Sequence, residues 1–127
     1  MKEIHCMTKI YKNTKFTKWQ RKNKIPDSLL IEAVEEMENG LIDAKLGGNL
    51  FKKRIAKAGM GKSGGYRTIV ASKQLIGWVF IFGFEKNEAD NINQATLAAY
   101  KDYINTVLFP NFKDFINSNL IIEVKNV

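Results

Sequence analysis

The run Trp78-Val79-Phe80-Ile81-Phe82 places five apolar side chains in succession. In an extended chain neighbouring side chains face opposite ways, so this run is apolar on both faces and reads as a strand inside a sheet rather than at its edge. Only Lys73-Gln74 separates it, as part of a strand from Leu75 to Phe84, from a second β-rich run, Tyr66 to Ser72, and that spacing makes the two a hairpin. Leu50 to Lys57, following Gly47-Gly48, adds a further strand, and the middle of the chain is expected to be an antiparallel sheet.

Upstream the period is helical. After a short extended stretch from Lys9 to Tyr11, Thr14 is the expected N-cap of a first helix, in which Phe16 and Trp19 lie one turn apart among Lys15, Lys18, Arg21 and Lys22. Pro26 opens a second helix whose stripe of Leu29, Leu30, Ala33, Val34 and Met37 leaves Glu32, Glu35, Glu36 and Glu38 outside, and Gly40 ends it. Downstream, Asn93 caps a helix carrying Leu97, Tyr100, Ile104, Val107 and Leu108; Pro110 stops it, and Leu120 to Val124 forms a short last strand. With no repeats and no linker, residues 1–127 read as one α+β domain with two N-terminal helices, and residues 93–127 as a C-terminal helical extension.

Charge is segregated along this chain. Residues 1–24 hold eight bases and one acid, residues 25–43 six acids and no base, and residues 44–84 eight bases and no acid. Lys and Arg keep their heads in water while their stems pack, so the acid-free segment is expected to form a positive surface wherever it folds, and a polyanion is its natural ligand. The net charge of +7 points the same way. No apolar run approaches the roughly 20 residues of a membrane span, and the N-terminus lacks the apolar core of a secretory signal, so the chain reads as cytoplasmic. A single Cys and a single His give neither an internal disulfide nor a zinc pattern. No cofactor is expected.

The segment Gly59-Met60-Gly61-Lys62-Ser63 ends like a phosphate-binding Walker loop, but position 56 is Ala where that pattern needs Gly, and a strand rather than a helix follows it. Its glycines suit a flexible turn that brings Lys62 and backbone N–H groups to a phosphodiester. With His5 the one histidine, catalysis falls to cations. Lys52 and Arg54 are two apart and share a strand face, with Lys53 on the other; joined by Arg67 from the next strand and Lys86 at the end of the third, they surround one phosphate. Clustered cations lower each other's affinity for protons, so a Lys set among Arg residues can serve as a base. Lys53 and Lys57 are expected to be solvated or to position phosphates, and Tyr66 and Phe84 to stack on bases. Arg67 has a structural alternative, pairing with Glu85 or Glu88.

Lys52-Lys53-Arg54-Ile55-Ala56, then Gly61-Lys62-Ser63-Gly64-Gly65-Tyr66-Arg67-Thr68, then Phe82-Gly83-Phe84-Glu85-Lys86-Asn87-Glu88 resemble, in order and spacing, the core of the HigB-like toxins of the RelE/ParE superfamily of type II toxin–antitoxin modules. The resemblance covers roughly Ile10 to Ile92. Met7 stands where many relatives begin, which makes residues 1–8 a candidate appendage. The resemblance implies a helix pair on a curved antiparallel sheet whose concave basic face cleaves mRNA in the ribosome without a metal. It places the conserved cations on Lys52, Arg54, Arg67 and Lys86, with Lys52 or Lys86 as base and Arg67 with Arg54 at the phosphate. Several such nucleases have a C-terminal Tyr that meets the RNA; here no Tyr follows Asn91 until Tyr100, inside a helix. The implied partners are mRNA on the ribosome and a HigA-like helix-turn-helix antitoxin. Two other readings stay open: a ParE-like toxin that acts on DNA gyrase without cleaving RNA, and a non-catalytic RNA-binding module.

Overall fold

A computed structural model describes residues 8–57, 65–85 and 92–125. Strand β1 (Ile10–Asn13) leads into helices α1 (Thr14–Lys22) and α2 (Asp27–Glu38). There follow β2 (Ala44–Gly47), β3 (Leu50–Ile55), β4 (Tyr66–Lys73) and β5 (Gly77–Glu85), then α3 (Gln94–Tyr103), α4 (Phe112–Asn117) and β6 (Ile121–Glu123). The strands form one open sheet in the order β2-β3-β4-β5-β1-β6. It is antiparallel except where β1 runs parallel to β5. The β4–β5 hairpin and the central place of β5 follow the sequence expectation. Strand β1 follows the extended stretch expected from Lys9 to Tyr11, whereas β2 does not announce itself, because four residues are too few to display an alternation and it depends on the neighbour it meets.

Local chemistry sets the helix ends. Asn13, one residue ahead of the expected Thr14, caps α1: its Oδ1 accepts the Phe16 N–H at 2.7 Å. Gly40 (φ +91°) closes α2 in a left-handed conformation. Its N–H donates to the Met37 carbonyl at 3.0 Å and the Leu41 N–H to that of Glu36 at 2.9 Å, the paired bonds of a Schellman turn. Asn93 caps α3 as expected, accepting the Thr96 N–H at 2.8 Å.

The sheet is covered on both faces. On one, Phe16, Leu30, Val34 and Met37 of the N-terminal helices pack against Ile55, Val70 and Phe80. On the other, the α3 helix continues as a π-helical turn over Ile104–Leu108, and Ile104, Leu108, Phe109 and Ile121 bury Leu50, Ile69, Ala71, Val79 and Ile81. Each such side chain contributes about 1.5–3 kcal/mol when taken from water. The face that the family resemblance leads one to expect as an open basic surface is thus occupied over much of its area by an apolar core. Lys52, Arg54 and Arg67 stand together at one end of it.

A bulge sets which residues reach that end. Ile69 pairs with Phe82 but Val70 pairs with Phe80, so Ile81 is an extra residue in β5. Ile81 and Phe82 consequently both join the second core, and Gly83 turns to the N-terminal helices. There a Cβ would fall 2.3 Å from the Trp19 ring, so only Gly fits beneath that indole. In the same layer, buried Gln20 donates to the Ile25 carbonyl at 2.9 Å and to Asp27 Oδ1 at 2.7 Å, while Lys12 Nζ reaches Gln20 Oε1 at 2.9 Å and Asp27 Oδ1 at 3.0 Å. Burial on its own would raise the Asp27 carboxyl, but the hydrogen bonds from Gln20 and Lys12 and the Lys12 charge outweigh it and hold it below the usual carboxylate range. Among the described residues no helix is long and apolar enough to cross a membrane.

Candidate nucleic-acid interface

Strand β3 carries three successive cations, and the pleat deals them to two environments. Lys52 and Arg54 share the face of Leu50, opposite the N-terminal helices. In the sheet Lys52 lies beside Ile69, and Ile69 beside Phe82; one step further along, Arg54 lies beside Arg67, and Arg67 beside Phe84. Two rows therefore cross the strands on one face, one of them opening with two guanidinium-bearing side chains placed directly opposite each other. Directly opposed positions of an antiparallel pair hold their Cβ atoms about 5 Å apart, where like charges repel. An anion between them removes that repulsion, and a phosphate offers oxygens that match the fork of an arginine.

Arg54 Nε pairs with Asp43 Oδ1 at 3.4 Å, and its backbone N–H donates to Asp43 Oδ2 at 2.6 Å. Arg67 Nη1 donates to the Gly65 carbonyl at 3.3 Å. The half-buried Lys52 side chain beside them makes no hydrogen bond or ion pair among the described residues. The far end of the Lys52 row is closed by Tyr100, whose ring stacks on Phe82 with centroids 4.8 Å apart and planes at 28°. Lys15 Nζ, 3.2 Å from the Tyr100 hydroxyl, lies over both rings. The tyrosine that sequence places inside a helix is therefore delivered by that helix to the same sheet face as Lys52, Arg54 and Arg67.

Other expected contacts fall elsewhere. Lys53, expected to be solvated or to hold phosphate, is 3 % exposed. Its Nζ pairs with Glu36 Oε1 at 2.8 Å and donates to the Leu41 carbonyl at 2.9 Å, because its strand position faces α2. Tyr66 is a core residue rather than a free stacking platform: it is buried, packs edge-on to Trp19 at 5.3 Å, and lies on the helix-facing side. Lys57 lies over that same Tyr66 ring and pairs with Glu85 at 3.4 Å, so it too belongs to the other side of the sheet. Phe84 does share the Arg67 face, but it is buried in the second core against Phe82. Lys62, Lys86 and Glu88, with the whole Walker-like segment, His5 and Cys6, lie outside the described residues.

Sequence reasoning passed over Asp43 and set Glu36 on the outer face of its helix, where the structure instead turns it to buried Lys53. The signal for Asp43 was present: it is the last acid before the acid-free segment, as Glu85 is the first after it, and both fold back onto cations of that segment. Among the described residues no group of three or more His, Cys, Asp or Glu is placed to hold a metal ion.

A comparison with curated proteins finds no match. The family model described as the RelE toxin of the RelE/RelB toxin–antitoxin system matches residues 8–124, which spans the sheet, both N-terminal helices and the C-terminal cover. With that span matched and an α+β architecture of helices on a largely antiparallel sheet, this chain belongs to the RelE toxin family.

Proposed function

We propose that this toxin is an endoribonuclease of the HigB-like kind that stops translation by cutting mRNA on the ribosome. The observation that carries the reading is the directly opposed Arg54–Arg67 pair with Lys52 beside it on the same face. In this reading a ribose 2′-OH gives its proton to Lys52 acting as general base, and its oxygen attacks the adjacent phosphorus. The two guanidinium groups bind the oxygens of the crowded phosphorane, and the 5′-oxygen leaves with a proton from a general acid. The upstream fragment ends in a 2′,3′-cyclic phosphate. Charge stabilisation at the phosphorane by fixed donors typically contributes 10²- to 10³-fold per donor, and proton transfer about 10²- to 10⁴-fold. Lys86 remains the second candidate for base. Tyr100 on Phe82 offers a flat surface at the edge of the cationic rows, suited to a base of the message. The proposed partners are mRNA in the ribosome and a HigA-like helix-turn-helix antitoxin, and the proposed compartment is the cytoplasm.

Inducing the chain in a growing bacterium tests this. Translation arrest with mRNA ends mapped inside codons at ribosomes is the expected result, and co-expression of the adjacent gene product restores growth and co-purifies with the toxin. A DNA-damage response without mRNA cleavage would instead place the chain with the gyrase-directed toxins, and absence of toxicity would leave an RNA-binding module.

A further inference from the structure

We propose that Asp43 is a positioning residue that aims Arg54 at the phosphate. The inference rests on the nuclease reading above and adds to it an acid inside a site otherwise made of cations. Its basis is the way the segment from Gly40 to Asp43 is fastened to β3. The Schellman turn fixes where α2 ends. The Leu41 carbonyl then accepts the Lys53 ammonium at 2.9 Å, and the Asp43 N–H donates to the Lys52 carbonyl at 3.2 Å. The Asp43 carboxylate takes the Arg54 backbone N–H at 2.6 Å and the Arg54 Nε at 3.4 Å. One short connector thus bonds three successive residues of the strand that bears the site, and Asp43 is held before it holds Arg54.

The geometry gives the carboxylate a task that neither structure nor charge alone accounts for. The ion pair at Nε holds the Arg54 head from its inner side and leaves its two Nη groups toward a ligand, so a phosphate binds without displacing the acid. Arg54 also stands directly opposite Arg67, where like charges repel, and the Asp43 carboxylate on Arg54 eases that repulsion. It does so at a cost in attraction for RNA, because a negative charge beside the cationic rows weakens the pull on a polyanion.

Those two effects have opposite signs, which makes them separable. In the full-length chain, Asp43→Asn keeps the side chain's shape and an acceptor for one of its two contacts. Under saturating ribosome-bound mRNA its maximum cleavage rate is expected to fall about 10-fold, since loss of alignment at a reacting group is costly, while the half-saturating concentration stays the same or drops. In an Arg54→Ala background the same substitution should cost nothing further, because it acts through Arg54. Additive losses in the double variant, or a raised half-saturating concentration at unchanged rate, would overturn the proposal. A thermal melt of each variant guards against misfolding, and Asp43→Glu, which keeps the charge but shifts it by one methylene, should lose rate without gaining affinity. If the wild type itself cleaves nothing, the nuclease reading fails, and the clamp is still decided by NMR. An Arg54 Nε–H signal protected from exchange in the wild type and lost in Asp43→Asn supports it; an unprotected signal in the wild type sinks it.

Discussion

Lys52 and Lys53 are the same residue, one position apart on one strand, and the protein uses them in opposite ways. Lys53 is sealed under α2, bonded to Glu36 and the Leu41 carbonyl. Lys52 lies on the other face, in line with a row that ends at Phe82 and Tyr100. Nothing in a lysine's own chemistry separates them; the pleat of β3 does, by handing one to the helix layer and the other to the open end of the sheet. Basic composition therefore measures the site poorly. Lys53, Arg54 and Lys57 all have acidic partners drawn from outside the acid-free segment, so a count of bases overstates the positive charge left for a polyanion.

The contrast is broken most sharply at Arg67, across the strand from Arg54. Arg67→Ala should lower the cleavage rate by about 10²- to 10³-fold, the loss expected when a fixed donor to the developing charge is removed, with the fold intact by circular dichroism. A folded Arg67→Ala protein that still arrests growth at wild-type expression would take Arg67 out of the site. On the opposite face the damage should be to stability instead. Lys53→Ala removes a buried ammonium from both Glu36 and the Leu41 carbonyl, and breaking such a pair from one side costs about 3 kcal/mol, read as a lowered midpoint in urea. Lys52→Ala should leave that midpoint within about 0.5 kcal/mol and instead reduce the salt slope of RNA binding by about one unit, which Lys53→Ala should not touch. Equal effects of the two substitutions on the salt slope would erase the distinction between the faces.

The smallest effect is expected in the Lys12–Gln20–Asp27 network of the helix layer. The Asp27 carboxyl titrates lower in the folded protein than in the unfolded chain, so its contribution is present above the unfolded value of about 3.9 and is lost as pH falls through the folded value. Asp27→Asn should therefore destabilise the protein at neutral pH and make no difference at pH near 2. Because the Asp27 side chain is 46 % exposed, solvent screening keeps this below about 1 kcal/mol. A difference that persists at the acid end would mean that the packing of Asp27, not its charge, is what matters.

Much of the fold could be read along the chain because its signals are local. The both-faces-apolar run of β5, the short β4–β5 turn, the stripe of α2 and the glycine after it each specify a backbone within a few residues. The pairing of Lys52 with Arg54 on one face followed from alternation alone. What could not be read was what lies across from what. The parallel seat of β1 against β5, the bulge at Ile81 that turns Gly83 under Trp19, and the placing of Tyr100 over Phe82 all depend on elements far apart in sequence.

By itself, then, the sequence determined the strands, the helices, the alternation of β3 and the surplus of positive charge, since each is fixed by covalent neighbours and by composition. Tertiary structure decided which positive charges count. Coulomb attraction acts through space and not along the chain, so acids at 36, 43 and 85, all outside the acid-free segment, reach back to Lys53, Arg54 and Lys57 once α2 and the neighbouring strands have packed. The C-terminal helices then bury the apolar part of the same sheet face, because a strand apolar on both sides has to be covered on both, and the cationic end is what that cover leaves open.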